Sequence, residues 1–162
     1  MQSPVPTFAH SLKALSAILK KAEASCAAQK IDPAVMAVQR LYPNMLPLTR
    51  QVLITCDHAK GAAARLSGTE NPSFADTETT FADLQARIQK TLDFIATVPE
   101  SAFKDAETRV INWKAGSREM SMPGAAYLSF YALPNFYFHM TTAYNILRHN
   151  GVEIGKVDFL GA

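Results

Sequence analysis

The sequence of 162 residues contains only two cysteines, Cys26 and Cys56, and no Cys-x-x-Cys pair. Both cysteines lie among small residues of expected helices. We therefore predict two buried free thiols rather than a disulfide or a reactive nucleophile. A chain that does not depend on disulfides fits a reducing compartment, and the expected localisation is cytoplasmic.

The sequence also lacks a long apolar run and an excess of charge of either sign. No window approaches the roughly 20 apolar residues that cross a bilayer, and no charged region precedes an apolar block near the N-terminus, as it would in a secretory signal. Sixteen Lys and Arg against fourteen Asp and Glu give a net charge of +2, without a basic run that would favour nucleic acid. We expect neither a membrane nor a nucleic acid as a partner.

What the sequence does contain is a helical pattern of apolar residues, which make up 48% of the chain. They recur at steps of three and four over four long segments, as in amphipathic helices. The expected long helices cover residues 6–28, 47–67, 77–96 and 134–149. Shorter helices are expected at 33–39 and 125–131, with a polar loop at 69–80 and an irregular tail at 152–162.

Residues 107–122 show a different pattern, which predicts a small β-hairpin. β-Forming residues at 109–113 and an alternating segment at 118–122 flank a turn at 114–117. Four helices with one apolar face each bury those faces best against one another. The predicted fold is all-α, a four-helix bundle with a β-hairpin between the third and fourth long helices, in one domain over residues 1–162.

Three stretches of the chain carry a family resemblance. They read LPNFYFHMTTAYNILRHNGVEIGKVDFLGA, LYPNMLPLTRQV with the following AKGAAARLSG, and TFADLQARIQKTLDF. Together they resemble the bacterial DUF1993 family over essentially the whole chain. That family is similar to the DinB/YfiT-like superfamily of four-helix bundles, several of which bind a divalent metal. The resemblance implies this fold, and it raises the alternative of a metal-dependent transferase that acts on thiols or other small molecules.

DinB-like metalloproteins typically use one histidine on the second helix and two on the fourth, four residues apart. In this chain the candidates for a zinc or nickel ion are His58 and His139. His149 lies ten residues after His139, a rise of about 15 Å that one ion does not bridge. Ala143 occupies the position four after His139, and Asn145, a poor ligand, lies four before His149. We therefore expect no intact metal site and no cofactor.

Each histidine also has a structural interpretation. His10 lies opposite the apolar face of the first helix and is expected in solvent. His149 falls in the last helical turn, where a cation favours the helix dipole. His58 lies near the edge of its helix's apolar face. His139 borders the core, where it is either a hydrogen-bonded core or interface residue, or a pocket base, ligand or proton carrier.

Aromatic residues crowd into the C-terminal third of the chain. They are Tyr127, Phe130, Tyr131, Phe136, Tyr137, Phe138 and Tyr144. Such residues fill the end of a bundle or form a dimer surface, or they line a pocket together with Trp113. The pocket candidates are His139, Trp113 and Tyr144. The chain has no Glu-x-x-His motif, phosphate-binding loop or nucleophile elbow, and no obvious pair of catalytic carboxylates.

These observations favour a cytoplasmic bundle, expected to form a homodimer, that binds a small molecule or a partner without an intact metal site. Two alternatives remain. One is a DinB/YfiT-like metal-dependent enzyme that uses His58 and His139, and the other is a metal-free pocket that uses His139 with Tyr144 or Trp113. The sequence does not decide whether the protein is catalytic.

Overall fold

The computed structural model describes residues 1–162 and contains seven helices and one hairpin. The helices are α1 (Val5–Gln29), α2 (Pro33–Ala37), α3 (Leu48–Ser67), α4 (Phe81–Ala96), α5 (Gly124–Tyr127), α6 (Leu133–His149) and α7 (Lys156–Leu160). The strands are β1 (Val110–Ala115) and β2 (Arg118–Pro123), with a 3₁₀ turn at Glu100–Phe103 and a π-helical turn at Leu128–Ala132.

The four long helices form a ring around one core. Helix α3 packs against α4 on one side and α6 on the other, and α1 closes the ring by contacting both α4 and α6. The core is a single cluster of 35 buried residues, to which the hairpin contributes Ile111 and Trp113. The predicted all-α four-helix bundle with a β-hairpin between its third and fourth long helices is confirmed.

The hairpin forms because its inward and outward positions alternate. Strands β1 and β2 are antiparallel, with Trp113 opposite Met120 and Lys114 opposite Glu119. Ile111 and Trp113 are buried, whereas their neighbours along β1 are exposed, as the two-residue period of a strand requires. Gly116 has φ = +61° in the turn, a conformation that glycine adopts without strain.

The third long helix begins later than the sequence predicts. We expected it from residue 77, but α4 begins at Phe81. Thr80 accepts a hydrogen bond from the Asp83 backbone N–H at 3.1 Å, and the Asp83 carboxylate accepts one from the Thr80 N–H at 2.9 Å. This capping box satisfies free N–H groups at Thr80 and Asp83, so the helix starts there.

The fourth long helix also differs from the expectation that Pro134 opens it. The chain stays helical from α5 through the π-helical turn into α6. Proline inside a helix lacks a backbone N–H donor and crowds the carbonyl four residues before it. In this chain the π-helical turn lies just before Pro134. The Asn135 side chain donates to the Tyr131 carbonyl at 2.7 Å and provides a local partner there.

The remaining features agree with the sequence except at the C-terminus. The tail was expected to be irregular, but it contains the short helix α7, which packs on α1. Cys26 and Cys56 are buried free thiols, as predicted, and burial raises the pKa of Cys56 to about 12. None of the helices combines the length and the apolar character needed to cross a membrane.

The polar segment between α3 and α4 is held by one buried arginine. The guanidinium of Arg87, of which 1% is exposed, lies within 3.0 Å of Asp57, 3.3 Å of Asp76 and 2.8 Å of Glu78. It also donates to the Ala75 carbonyl at 3.0 Å. Because Asp57 lies on α3 and the other acceptors lie in the segment, Arg87 ties α3, α4 and the segment together.

An aromatic side chain reinforces this attachment. The Phe74 ring has the Lys60 ammonium 4.3 Å and the Lys90 ammonium 4.1 Å from its centre, with the Arg87 guanidinium at 5.2 Å. Cations over an aromatic face are attracted by its electron-rich centre. Lys60 also donates to the Pro72 carbonyl at 2.7 Å. The expected loop is therefore a fixed wall on the side of α3.

We predict that Arg87→Met destabilises the protein by roughly 3–5 kcal/mol, because it leaves the largely buried Glu78 without its cation and removes one of the two cations at Asp57 and at Asp76. Urea unfolding measures this change. The matched control is Arg50→Met, which breaks the exposed pair between Arg50 and Asp76 and is expected to cost less than about 1 kcal/mol. Equal losses in the two variants would show that Arg87 does not hold the segment.

Candidate functional site

A cleft of about 420 Å³ opens beside α3. Its walls are α3, the segment before α4, strand β1 and the π-helical turn. We call it the His58 cleft and define it by five of its lining residues. They are His58, Arg65, Phe74, Trp113 and Tyr131. The polar segment, the hairpin strand and the π-helical turn, which a plain helical bundle lacks, therefore all border one concave surface.

His58 reaches the cleft from the middle of α3 as a partly buried neutral imidazole. Its ring centre lies 5.7 Å from that of Tyr131 and 5.9 Å from that of His139, whose plane is inclined by only 13°. Burial and then His139 lower the pKa of His58 to about 4, Asp57 opposes them, and Arg65 adds the smallest lowering effect. At neutral pH the ring carries no charge and both accepts and donates hydrogen bonds.

His139 lies behind His58 on α6, with its tautomer fixed by Gln51. The Gln51 amide nitrogen donates to the Leu46 carbonyl at 3.0 Å, so its amide oxygen faces Nδ1 of His139 at 2.7 Å. An oxygen acceptor at that position requires that Nδ1 carries the hydrogen, which leaves Nε2 as the acceptor nitrogen. Burial also lowers the pKa of His139. The two histidines form a neutral pair.

Aromatic rings make the wall opposite α3. The Trp113 ring centre lies 4.6 Å from that of Tyr131 and 4.9 Å from that of Tyr127. The indole Nε1 of Trp113 is buried and has no hydrogen-bond acceptor in the protein. Most buried polar atoms in proteins are paired. The wall therefore combines apolar ring surface with one unpaired donor.

Arg65 provides a cation at the cleft. Its Nη1 donates to the hydroxyl of the fully buried Tyr127 at 3.2 Å. The guanidinium folds back along α3 over Gly61, where a Cβ atom would overlap Nη1. No carboxylate lies within ion-pair distance of Arg65, in contrast to Lys60 and Arg87.

The structure brings together three of the four residues singled out from the sequence. His58, Trp113 and His139 lie within one connected group of rings. Tyr144 lies apart, since its hydroxyl donates to the Ile154 carbonyl at 3.4 Å and its ring packs against Phe159. A pocket that combines Tyr144 with His139 or Trp113 is therefore not what the structure forms.

The other two histidines are exposed. His10 bonds the Leu160 carbonyl at 2.7 Å, which ties α7 to α1, and His149 occupies the last turn of α6 as expected. Neither residue borders the His58 cleft.

The donor set does not fit the three-histidine metal site that the family resemblance implies. His58 and His139 are neighbours, but the Gln51 oxygen beside them already accepts from His139. The nearby Asp57 carboxylate contacts Lys60 and Arg87 instead. No group of three or more His, Cys, Asp or Glu side chains is placed to hold an ion.

Sequence reasoning missed Arg65 and Gly61 as parts of this site, whereas it placed Tyr131 among the aromatic residues that could line a pocket with Trp113. A signal was present, because Gly61 interrupts an alanine-rich stretch and lies four residues before Arg65, on the same face of the helix. No sequence signal indicated that residues 71–76 would line the cleft, because the position of this segment depends on the distant Arg87.

Comparisons with known proteins agree with this architecture. The sequence matches DUF1993, a domain of unknown function, over residues 1–160. No match was found among the curated proteins. Among solved structures, the fold is similar to the crystal structure of a DinB family member protein from Shewanella denitrificans. That structure has a TM-score of 0.92 and 43% identity, and the match covers 98% of this chain and 89% of the other. The chain thus belongs to the DUF1993 family, with a DinB-like fold.

Proposed function

We propose that the protein binds a small organic molecule in the His58 cleft. The observation that carries this proposal is the grouping of a neutral histidine, an aromatic wall and an arginine without a carboxylate partner around one cleft of about 420 Å³. Pockets for small ligands typically enclose about 300–1,000 Å³ and combine ring surface with a few polar groups. The cleft has this size, and its ring surface comes from Phe74, Trp113 and Tyr131 within a lining that is mostly polar or charged.

The lining side chains offer a ligand different kinds of contact. Trp113 and Tyr131 offer ring surface for the apolar body of a ligand, and His58 offers one donor and one acceptor. Arg87 and Phe74 hold the outer wall in place, so the cleft exists before the ligand arrives. A preformed site loses less conformational entropy on binding than a flexible one does.

We propose that this binding needs no resident metal ion. The proximity of His58 and His139, with ring centres 5.9 Å apart, is the observation that favours the metal-dependent alternative, but the third ligand of that alternative is missing. The homodimer and the cytoplasmic localisation stay predictions. Phe130 and Phe138, which are 77% and 57% exposed, are the aromatic residues available for a dimer surface.

Fluorescence of Trp113 tests the proposed binding directly, because it is the only tryptophan of the chain. We predict that a panel of small aromatic and heteroaromatic compounds contains ligands that change the emission saturably and raise Tm, without added metal. A ligand at 100 times its Kd stabilises the folded protein by about 2.7 kcal/mol.

Tyr131→Ala should weaken such binding at least tenfold, because it removes part of the ring wall. Tyr144→Phe is the matched control, since Tyr144 lies outside the cleft, and it should leave binding unchanged. Binding that appears only with zinc or nickel, or that is insensitive to Tyr131→Ala, would contradict the proposal, as would the absence of saturable binding in the panel.

The neutral state of His58 predicts a pH dependence of stability. The pKa of His58 in the folded protein, about 4, lies below its ordinary value of 6.5. The unfolded chain therefore binds more protons as the pH falls, and stability is complete above pH 6.5 and decreases toward pH 4. For His58 the loss between about pH 7.5 and pH 5 is on the order of 2 kcal/mol.

Urea unfolding at several pH values measures this dependence. His58→Gln should remove the His58 contribution to the loss between about pH 7.5 and pH 5, and the contribution of His139, whose pKa is also lowered, should remain. The exposed residue His149 supplies the control, and His149→Gln should retain the loss of stability at low pH. If His58→Gln leaves the curve unchanged, His58 is not buried in its neutral form.

A further inference from the structure

We propose that Arg65 is the anchor for an anionic group, a carboxylate or a phosphate, on the small molecule that the His58 cleft binds. This inference rests on the proposed function and names the chemical class of its ligand. The ligand is a small molecule with an apolar or aromatic body and one acidic group.

The position of Arg65 is fixed before any ligand binds. Its Nη1 donates to the Tyr127 hydroxyl at 3.2 Å, and Tyr127 is fully buried, so the hydroxyl does not move freely. The guanidinium occupies the space above Gly61 that a Cβ atom would fill. Glycine inside a helix costs about 1 kcal/mol relative to alanine, and here it makes room for the arginine head.

Arg65 retains donors that the protein does not use. A guanidinium has five N–H donors, and the bond to Tyr127 is the one that Arg65 makes within the protein. None of its nitrogens is buried without a partner, so the remaining donors are accessible from the cleft that Arg65 lines. The planar fork of a guanidinium matches two oxygens of a carboxylate or phosphate.

The acidic residues of the cleft do not compete for Arg65. Asp57 contacts Lys60 at 3.2 Å and Arg87 at 3.0 Å. Asp76 contacts Arg50 at 2.6 Å and Arg87 at 3.3 Å. Each carboxylate therefore already has two cations, whereas Arg65 has none of the carboxylates within 4.0 Å. The charge that is not balanced inside the cleft is positive.

The aromatic wall determines the rest of the ligand. Trp113 and Tyr131 line the same cleft as Arg65, so an acid bound to the guanidinium places its body against their rings. His58 lies beside Tyr131 and supplies a neutral hydrogen-bonding group to that body. The limited volume favours a single small molecule.

The test uses pairs of probes that differ in charge. Benzoate and phenyl phosphate are compared with neutral benzamide and benzyl alcohol, by Trp113 fluorescence and calorimetry at neutral pH and low salt. We expect each anion to bind at least tenfold more tightly than the neutral probes, which corresponds to about 1.4 kcal/mol. The stronger of the two anions identifies the preferred acidic group.

Three variants at the site and one control variant outside it locate the effect. Arg65→Met should remove the preference for the anion, and Arg65→Lys should restore part of it. Gly61→Ala keeps the charge but displaces the guanidinium, so it should weaken anion binding at least fivefold while the fold is kept. Arg118→Met, an equal change in charge on the exposed strand β2 outside the cleft, should change binding less than twofold.

The outcomes separate this inference from the proposed function. Equal binding of anionic and neutral probes, unaffected by Arg65→Met, would overturn the role of Arg65 and leave small-molecule binding intact. An equal loss in Arg118→Met would reduce the effect to net charge and would also overturn it. If none of the four probes binds, the anion anchor is refuted for this class, and the wider panel decides the proposed function. Should Arg65→Met fail to fold, Gly61→Ala and Arg65→Lys carry the same comparison.

Discussion

The structure around α3 depends on the burial of one positive charge. The side chain of Arg87 is 1% exposed and lies among three carboxylates, two of which belong to the segment before α4. A guanidinium taken out of water is costly unless its donors are met by such partners. The segment is therefore recruited to α3 by the need to neutralise Arg87, although its sequence has few apolar residues to bury. Without that constraint the bundle would have four helices but no outer wall for a cleft.

The same constraint orders the charges of the cleft. Because Asp57 and Asp76 are held by Arg87 and its neighbours, neither is available to Arg65. Arg65 in turn helps to keep His58 neutral, since a second positive charge nearby would be repelled. The site is thus polarised: fixed ion pairs on one side, an unpaired guanidinium on the other, and an uncharged imidazole between them. An anion that binds Arg65 would reduce the positive potential at His58 and make its protonation easier.

Much of the fold could be predicted from the sequence because helices and hairpins are local patterns. The period of the apolar residues located four long helices, and the alternation at 109–122 located the hairpin. The errors lie where a side-chain hydrogen bond or a long-range contact determines where a helix begins or whether it forms. The start of α4 is set by the Thr80–Asp83 capping box, and the continuous helix before Pro134 requires a π turn that no simple period reveals. The helix α7 depends on contacts with α1.

The candidate site was predictable only in part, for the same reason. His58, His139 and Trp113 were found from residue type and position, and the structure brings them together. Tyr144 was considered with His139, which lies on the same helix, α6. Five residues after His139, however, its side chain points about 140° away around the helix and packs with Phe159. The spacing of four residues between Gly61 and Arg65 was visible in the sequence. That Arg65 has no carboxylate partner could be seen only in the structure.

The π-helical turn at Leu128–Ala132 determines the direction of the chain before α6. A π turn forms its hydrogen bonds across five residues rather than four, so it contains one residue more than the α-helical turn that it replaces. That residue rotates everything on its N-terminal side by about 100° relative to α6. In an uninterrupted helix, Tyr127 and the hairpin that packs on it would face a different direction. The aromatic wall beside His58 therefore depends on this single turn as well as on the hairpin.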